Sequence, residues 1–147
     1  MTKHEAVKEY FEPKIAELAG NILNFNFSPE SEDSIALITN YSDKLKKKYV
    51  TGAVQKEYGF TLVIVKSYSS FQDDLNLEAM NFTQAFMEWL EEQNDKGEYP
   101  DFGENCEIQK IENLQNMPNL AGVNQDGTMA RYMIQAKIVY KERKNSI

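Results

Sequence analysis

The chain has 147 residues, a formal net charge of −7 and a single cysteine, with 41% hydrophobic and 12% aromatic residues. That length and apolar content fit one globular domain with a modest core, and the 8 Tyr and 8 Phe argue against intrinsic disorder. The acidic balance argues against a duplex-DNA reader, which neutralises phosphates with a basic face, and one cysteine allows no internal disulfide.

The first segment, Thr2 to Ala19, places Val7, Phe11, Ile15 and Leu18 four, four and three residues apart. This spacing predicts one apolar helix face, with Pro13 kinking the helix or starting a second one and Gly20 stopping it. The segment is charged and has no apolar stretch of the kind a secretory signal carries, so a soluble intracellular chain is expected. "NILNFNFS" alternates apolar and polar residues and predicts a strand with one wet face. "SPESED" reads as an acidic turn, "SIALITNY" as a short second strand, and "SDKLKKK" as a basic loop or strand start.

"KYVTGAVQKEYGFTLVIVKSYSS" is rich in β-branched and aromatic residues, with Gly52 and Gly59 marking a turn or bulge and a bend. "TLVIV" is apolar on both faces, which predicts a central strand. It belongs to "FTLVIV", the longest strongly apolar run and far short of the ~20 residues that span a bilayer. Asp73, Asp74 and Asn76 offer N-caps for a helix from about Leu75 to Asn94. Along it Leu75, Ala79, Phe82, Phe86, Trp89 or Leu90, and Gln93 step by three and four, and Gly97 and Pro100 end it.

Two strands follow. "CEIQKIENL" has an imperfect alternation, whereas Ala130, Tyr132, Ile134, Ala136, Ile138 and Tyr140 make one clean apolar face. Between them runs a long Asn-rich loop, Gln115 to Gly127, closed by "QDG". The element order is helix, strands, helix, two strands. It predicts an α+β fold: one domain over residues 1–147, a mostly antiparallel sheet and two main helices packed on one face.

Candidate chemistry is sparse. His4 reads as a surface residue in an N-terminal turn, and Cys106 as a structural thiol with no neighbour in sequence to activate it. Ser-His-Asp and Cys-His sites are therefore not expected, nor is a tetrahedral zinc site, and no glycine-rich phosphate loop is present. "NQDGT" resembles a calcium loop but would place Gln135 where the bidentate Glu belongs. Glu88, Glu91 and Glu92 read as a solvated helix face rather than a catalytic pair, and Phe82, Phe86 and Trp89 as core. The run Lys44 to Lys48 is the one basic cluster. It is either a sheet edge whose lysines block strand addition or a contact for an acidic partner or DNA. The Gln115–Gly127 loop carries Met117, Pro118, Leu120 and Val123, which either fold back on the core or are buried in an interface.

Three segments carry a family resemblance. "NFTQAFMEWLEEQNDKGEYPDF" contains W-[LI]-E-x-Q-N followed by a proline (Trp89, Leu90, Glu91, Gln93, Asn94 and Pro100). K-I-E follows at Lys110, Ile111 and Glu112, and A-[RK]-Y-x-I-Q-x-[KR]-[IL]-V-Y runs from Ala130 to Tyr140. The set resembles the small tail terminator proteins, often labelled minor capsid proteins or, misleadingly, chloramphenicol resistance proteins, encoded in the tail-assembly region of Gram-positive phages and prophages. It covers roughly the C-terminal half, and Met133 stands where relatives often carry Gln.

The resemblance implies a structural virion protein and not an enzyme, with no cofactor and no metal. It implies a homo-oligomeric ring, commonly of six subunits, at the head-proximal end of the tail. Such a ring, assembled in the host cytoplasm, stops growth of the tail tube and presents a surface to head-completion proteins. DNA passes through its lumen without sequence-specific binding, and no membrane is involved. Residues Met117, Pro118, Leu120 and Val123 would then contact a neighbouring subunit or the tube end, and Lys46, Lys47 and Lys48 an acidic partner surface. A head-completion or stopper protein of the neck is the nearest alternative, and a cytosolic small-ligand-binding domain is the alternative from another class.

Overall fold

The structure is a computed structural model that describes residues 2–19, 23–25, 35–67, 73–114, 119–123 and 129–143. Helix α1 spans Lys3–Ala19. A capping box that the periodicity does not show begins it: the Thr2 hydroxyl accepts from the Glu5 amide at 3.1 Å and donates to the Glu5 carboxylate at 3.2 Å. The expected break at Pro13 does not divide the helix. Pro13 and Glu9, whose carbonyl loses its helical partner, are both exposed, so that carbonyl lies on the wet side.

Helix α2 spans Asp73–Lys96, two residues longer at each end than its periodicity predicts. Gly97, at φ +69°, turns the chain out of it. The amides of Glu98 and Gly97 return to the carbonyls of Gln93 and Asn94 at 3.0 and 3.2 Å, satisfying two of the orphan acceptors at the helix end.

The strands are β1 (Leu23–Phe25), β2 (Ile35–Lys48), β3 (Val54–Ser67), β4 (Cys106–Asn113), β5 (Asn119–Val123) and β6 (Met129–Glu142). They form one sheet in the order β1-β2-β3-β6-β4, with β5 also paired to β6. Every pairing is antiparallel except β1 with β2, so the α+β fold with a mostly antiparallel sheet holds. β3 is central, as its two-sided apolar run requires.

Three expectations are corrected. The short strand and the basic segment after it are one 14-residue strand, β2, whose pairing with β3 shifts register three times between Thr39 and Lys47. Three strands, not two, follow α2. The long loop is not wholly a loop: Leu120 and Val123 lie in β5, opposite Tyr132 and Ala130 of β6. β6 has 14 residues and β4 covers only its second half, so the donors and acceptors of the first half recruit residues 119–123 despite their low strand propensity. Met117, Pro118 and the "QDG" turn lie outside the described residues.

The core fills one face. Val7, Phe11 and Ile15 of α1 and Phe86, Met87 and Leu90 of α2 cluster with Tyr58, Phe60, Leu62 and Ile64 of β3 and with Tyr132, Ile134, Ala136, Ile138 and Tyr140 of β6. Phe11 is the hinge of this packing, with ring centroids 5.1 Å from Phe60, 5.9 Å from Phe86 and 5.9 Å from Trp89. Both helices therefore lie on the same face. Val63 and Val65 alternate to the opposite face and are buried too. The imperfect pattern of β4 has a local cause. A register shift between Ile108 and Lys110 absorbs Gln109, so Ile108 and Ile111 stand opposite Tyr140 and Ile138 on the core side. No helix among the described residues is long and apolar enough to cross a membrane.

Candidate functional site

The sheet has two flanks of different character. On one, β1 covers only Ile35–Leu37 of β2, and no described strand pairs with the outer side of β2 from Ile38 to Lys48. Lys44, Lys46, Lys47 and Lys48 line this edge, all exposed, with Leu45 half exposed between them. Lys44 lies 4.8 Å from the centroid of the Tyr41 ring, and Lys47 and Lys141 lie 5.2 and 5.0 Å from that of Tyr49. None of the four edge lysines is in an ion pair with a described residue. The topology thus sets this run on a strand edge, the first of the two readings its sequence allows, and leaves the partner contact open.

The other flank is closed at one end and open at the other. Asn94 of α2 presents its side-chain amide to β4 as a strand would. It donates to the Ile111 carbonyl at 2.5 Å and accepts from the Ile111 amide at 2.8 Å. Tyr99 donates to the Gln109 carbonyl at 3.4 Å, and Asn113 reaches back to the Met87 carbonyl at 3.4 Å. The outer rim of β4 is thus occupied by α2 and the segment after it. Beyond Leu114, whose amide donates to the Gln135 carbonyl at 2.9 Å, β5 continues along the same side of β6. No described strand pairs with the outer side of β5.

The residues that carry the resemblance converge here. With its amide set to satisfy both neighbours, the buried Gln93 accepts from the Trp89 indole at 2.9 Å and donates to the Glu98 carboxylate at 3.0 Å. Asn94 holds Ile111, and Glu112, next in K-I-E, lies 3.8 Å from Lys137 of the β6 motif. Lys137 in turn pairs with the buried Glu57 at 2.8 Å, and that hydrogen bond holds its ammonium above the usual lysine range. Sequence reasoning finds these residues through the motif but not their contacts, because Asn94 and Ile111 are neighbours only once α2 has docked.

A second polar cluster ties α1 to the sheet. Asp43 sits in a β2 irregularity at φ +54°. It accepts from the Tyr140 hydroxyl at 2.5 Å and pairs with Lys3 at 3.0 Å. Burial pushes the Asp43 carboxyl up, but the Tyr140 hydrogen bond and Lys3, with Lys56 behind, outweigh it and leave it below the usual aspartate range. Tyr140 is raised, by burial first and then by that hydrogen bond and charge. His4 is exposed, as expected, yet lies on α1 rather than in a free turn. Its Nδ1 is 2.9 Å from the Tyr58 hydroxyl, which is 2.6 Å from Thr39. Cys106 is half-buried, and burial raises its thiol above the usual range, the opposite of nucleophile activation. Asp43 is a residue that sequence reasoning misses; its only signal is a side chain that tolerates the left-handed region, in the polar stretch after Tyr41.

Among the described residues no group of three or more His, Cys, Asp or Glu is placed to hold a metal ion. A small open cleft lies between α1 and the segment after α2, lined by Ala6, Glu9, Tyr10, Tyr99, Pro100 and Asp101. Its Tyr10 hydroxyl is committed to the Glu98 carbonyl at 2.7 Å. No family model and no curated protein matches this chain.

Proposed function

We propose that this chain is a structural virion protein, a tail terminator that caps the head-proximal end of a phage tail tube as a ring, commonly of six subunits. In this reading the ring stops tube growth, presents the docking surface for head-completion proteins and lets DNA pass through its lumen without reading it. The protein is then not an enzyme and needs no cofactor. One observation carries the reading. The three segments that resemble tail terminators form a single bonded unit, Asn94 to Ile111 and Glu112 to Lys137, built around a flank where β5 offers an edge without a described partner strand. Unpaired edges and exposed segments on opposite flanks suit head-to-tail contacts, which make a ring when the rotation closes.

Residues Leu120 and Val123, in β5, and Met117 and Pro118 just before it, form the proposed contact with a neighbouring subunit or the tube end; Lys46, Lys47 and Lys48 form the second contact surface. Deletion of the gene should give overlong tubes, and antibody-labelled electron microscopy should place the protein at the head-proximal end. Leu120→Asp, which adds a charge to the contact, should reproduce the overlong tubes. Normal tube length with unattached heads would instead assign the protein to the head side of the neck. No label on any particle would remove it from the virion.

A further inference from the structure

We infer that the basic edge of β2 docks onto the acidic flank of α2 in a second copy of this chain, so that the subunits join head to tail. This deepens the ring reading and rests on it.

The first surface is the outer edge of β2, where Lys44, Lys46, Lys47 and Lys48 project without ion-pair partners among the described residues and Leu45 adds exposed apolar area. The second lies across the sheet. Residues 88–104 hold seven carboxylates and one lysine, so most of the chain's net charge of −7 sits in this one stretch. Within α2, Glu88, Glu91 and Asp95 are exposed and form no ion pair with a described residue, unlike Glu92, which pairs with Lys96 at 2.8 Å.

Their spacing of three and four puts them on one stripe. The direction of that stripe follows from its neighbours at about 100° per residue. Trp89, on one side of the buried face, packs on Tyr10 and Phe11 of α1. Asn94, on the other side, reaches β4. Glu91 lies beyond Asn94 in that rotation, with Asp95 and Glu88 further round, so the stripe lies on the β4 side of the helix, turns to solvent and faces away from α1.

Uncompensated charges of opposite sign therefore lie towards opposite sides of the molecule, the lysines on the β2 edge and the carboxylates on the β4 side of α2, with β2 and β4 three strand spacings or roughly 14 Å apart. Their lengths also agree: Lys44 to Lys48 extends ~13 Å along a strand, and Glu88 to Asp95 ~10 Å along a helix. A two-fold dimer through either flank would set like charge on like. Joining one flank to the other of the next copy pairs them, and this is the heterologous contact from which rings are built. Leu45 then gains cover at the contact.

The test uses the full chain in three forms: wild type, a basic-edge reversal (Lys46→Glu, Lys47→Glu, Lys48→Glu) and an acidic-flank reversal (Glu88→Lys, Glu91→Lys, Asp95→Lys). All six positions are exposed, and unchanged thermal melting confirms that each form folds. Analytical ultracentrifugation is run at salt giving a Debye length of about 10 Å and again at about 3 Å. Wild type should sediment as a ring at low salt and dissociate at high salt. Each reversed form alone should be monomeric, and an equimolar mixture of the two should reassociate, because the mixture again sets lysine against carboxylate. A wild-type ring that survives in both reversed forms, or a mixture that stays monomeric, overturns the inference and leaves the ring reading standing. A wild type that is monomeric at low salt also overturns it. If that monomer still labels the head-proximal end of the tail, the proposed function survives alone; if it labels nothing, both fall.

Discussion

Asp43 and Gly59 show how single residues set the shape of the β2 edge. Asp43 holds a left-handed backbone angle that asparagine also tolerates, so Asp43→Asn removes the charge while keeping the conformation. Its folded-state pKa lies below the ordinary value, so it contributes stability above the ordinary aspartate range and loses it as pH falls through the folded value. The Asp43→Asn variant should accordingly melt below wild type at neutral pH and converge on it in acid, below about pH 4. An equal gap at both pH values would refute the role given to the charge. Gly59 packs under the half-buried Tyr41 ring: a Cβ there would lie 2.5 and 2.9 Å from the two Cε atoms, so that ring has to move to admit one. Gly59→Ala should cost roughly 1–3 kcal/mol as an overpacking substitution. The cost should vanish in a Tyr41→Ala background, a coupling that a double-mutant cycle of melting curves reads directly.

Among the elements, α2 does more than cover the core, because Asn94 turns its last turns into a cover for the β4 edge. Asn94→Ala leaves a donor and an acceptor of Ile111 without their partners, which should cost about 1–3 kcal/mol in chemical denaturation and speed hydrogen exchange at the Ile111 amide. Unchanged exchange there would show that the clamp does not protect the edge. The helices, the central β3 and the apolar face of β6 are legible in the sequence because each is set by its own periodicity. β5 is not. Asn119 and Gly122 have little strand propensity and pair because β6 offers them an unfilled half, while Ala121 falls in the register shift between Leu120 and Gly122. The irregularities of β2 and β4 escape for a related reason, since a residue absorbed in a bulge is recognised only against the partner strand.

At the scale of the molecule, the candidate surfaces divide in the same way. The lysine run can be read from Lys44 to Lys48 alone, but its place on an open stretch of β2 and the relation of Glu88, Glu91 and Asp95 to it appear only with the topology. Complementarity between distant segments is a property of the strand order, and no local pattern encodes it. The same strand order has a kinetic side. β6 is the last of the strands in the chain, yet it pairs with β3 along its whole length and carries β4 and β5 on its other side. During synthesis β2 and β3 can pair as soon as both have emerged, but the second edge of β3, with Val63 and Val65, then waits for residues 129–142. The strand that holds the longest apolar run of the protein is therefore a transient edge in the nascent chain, and folding has to outrun association through that edge at high local concentration.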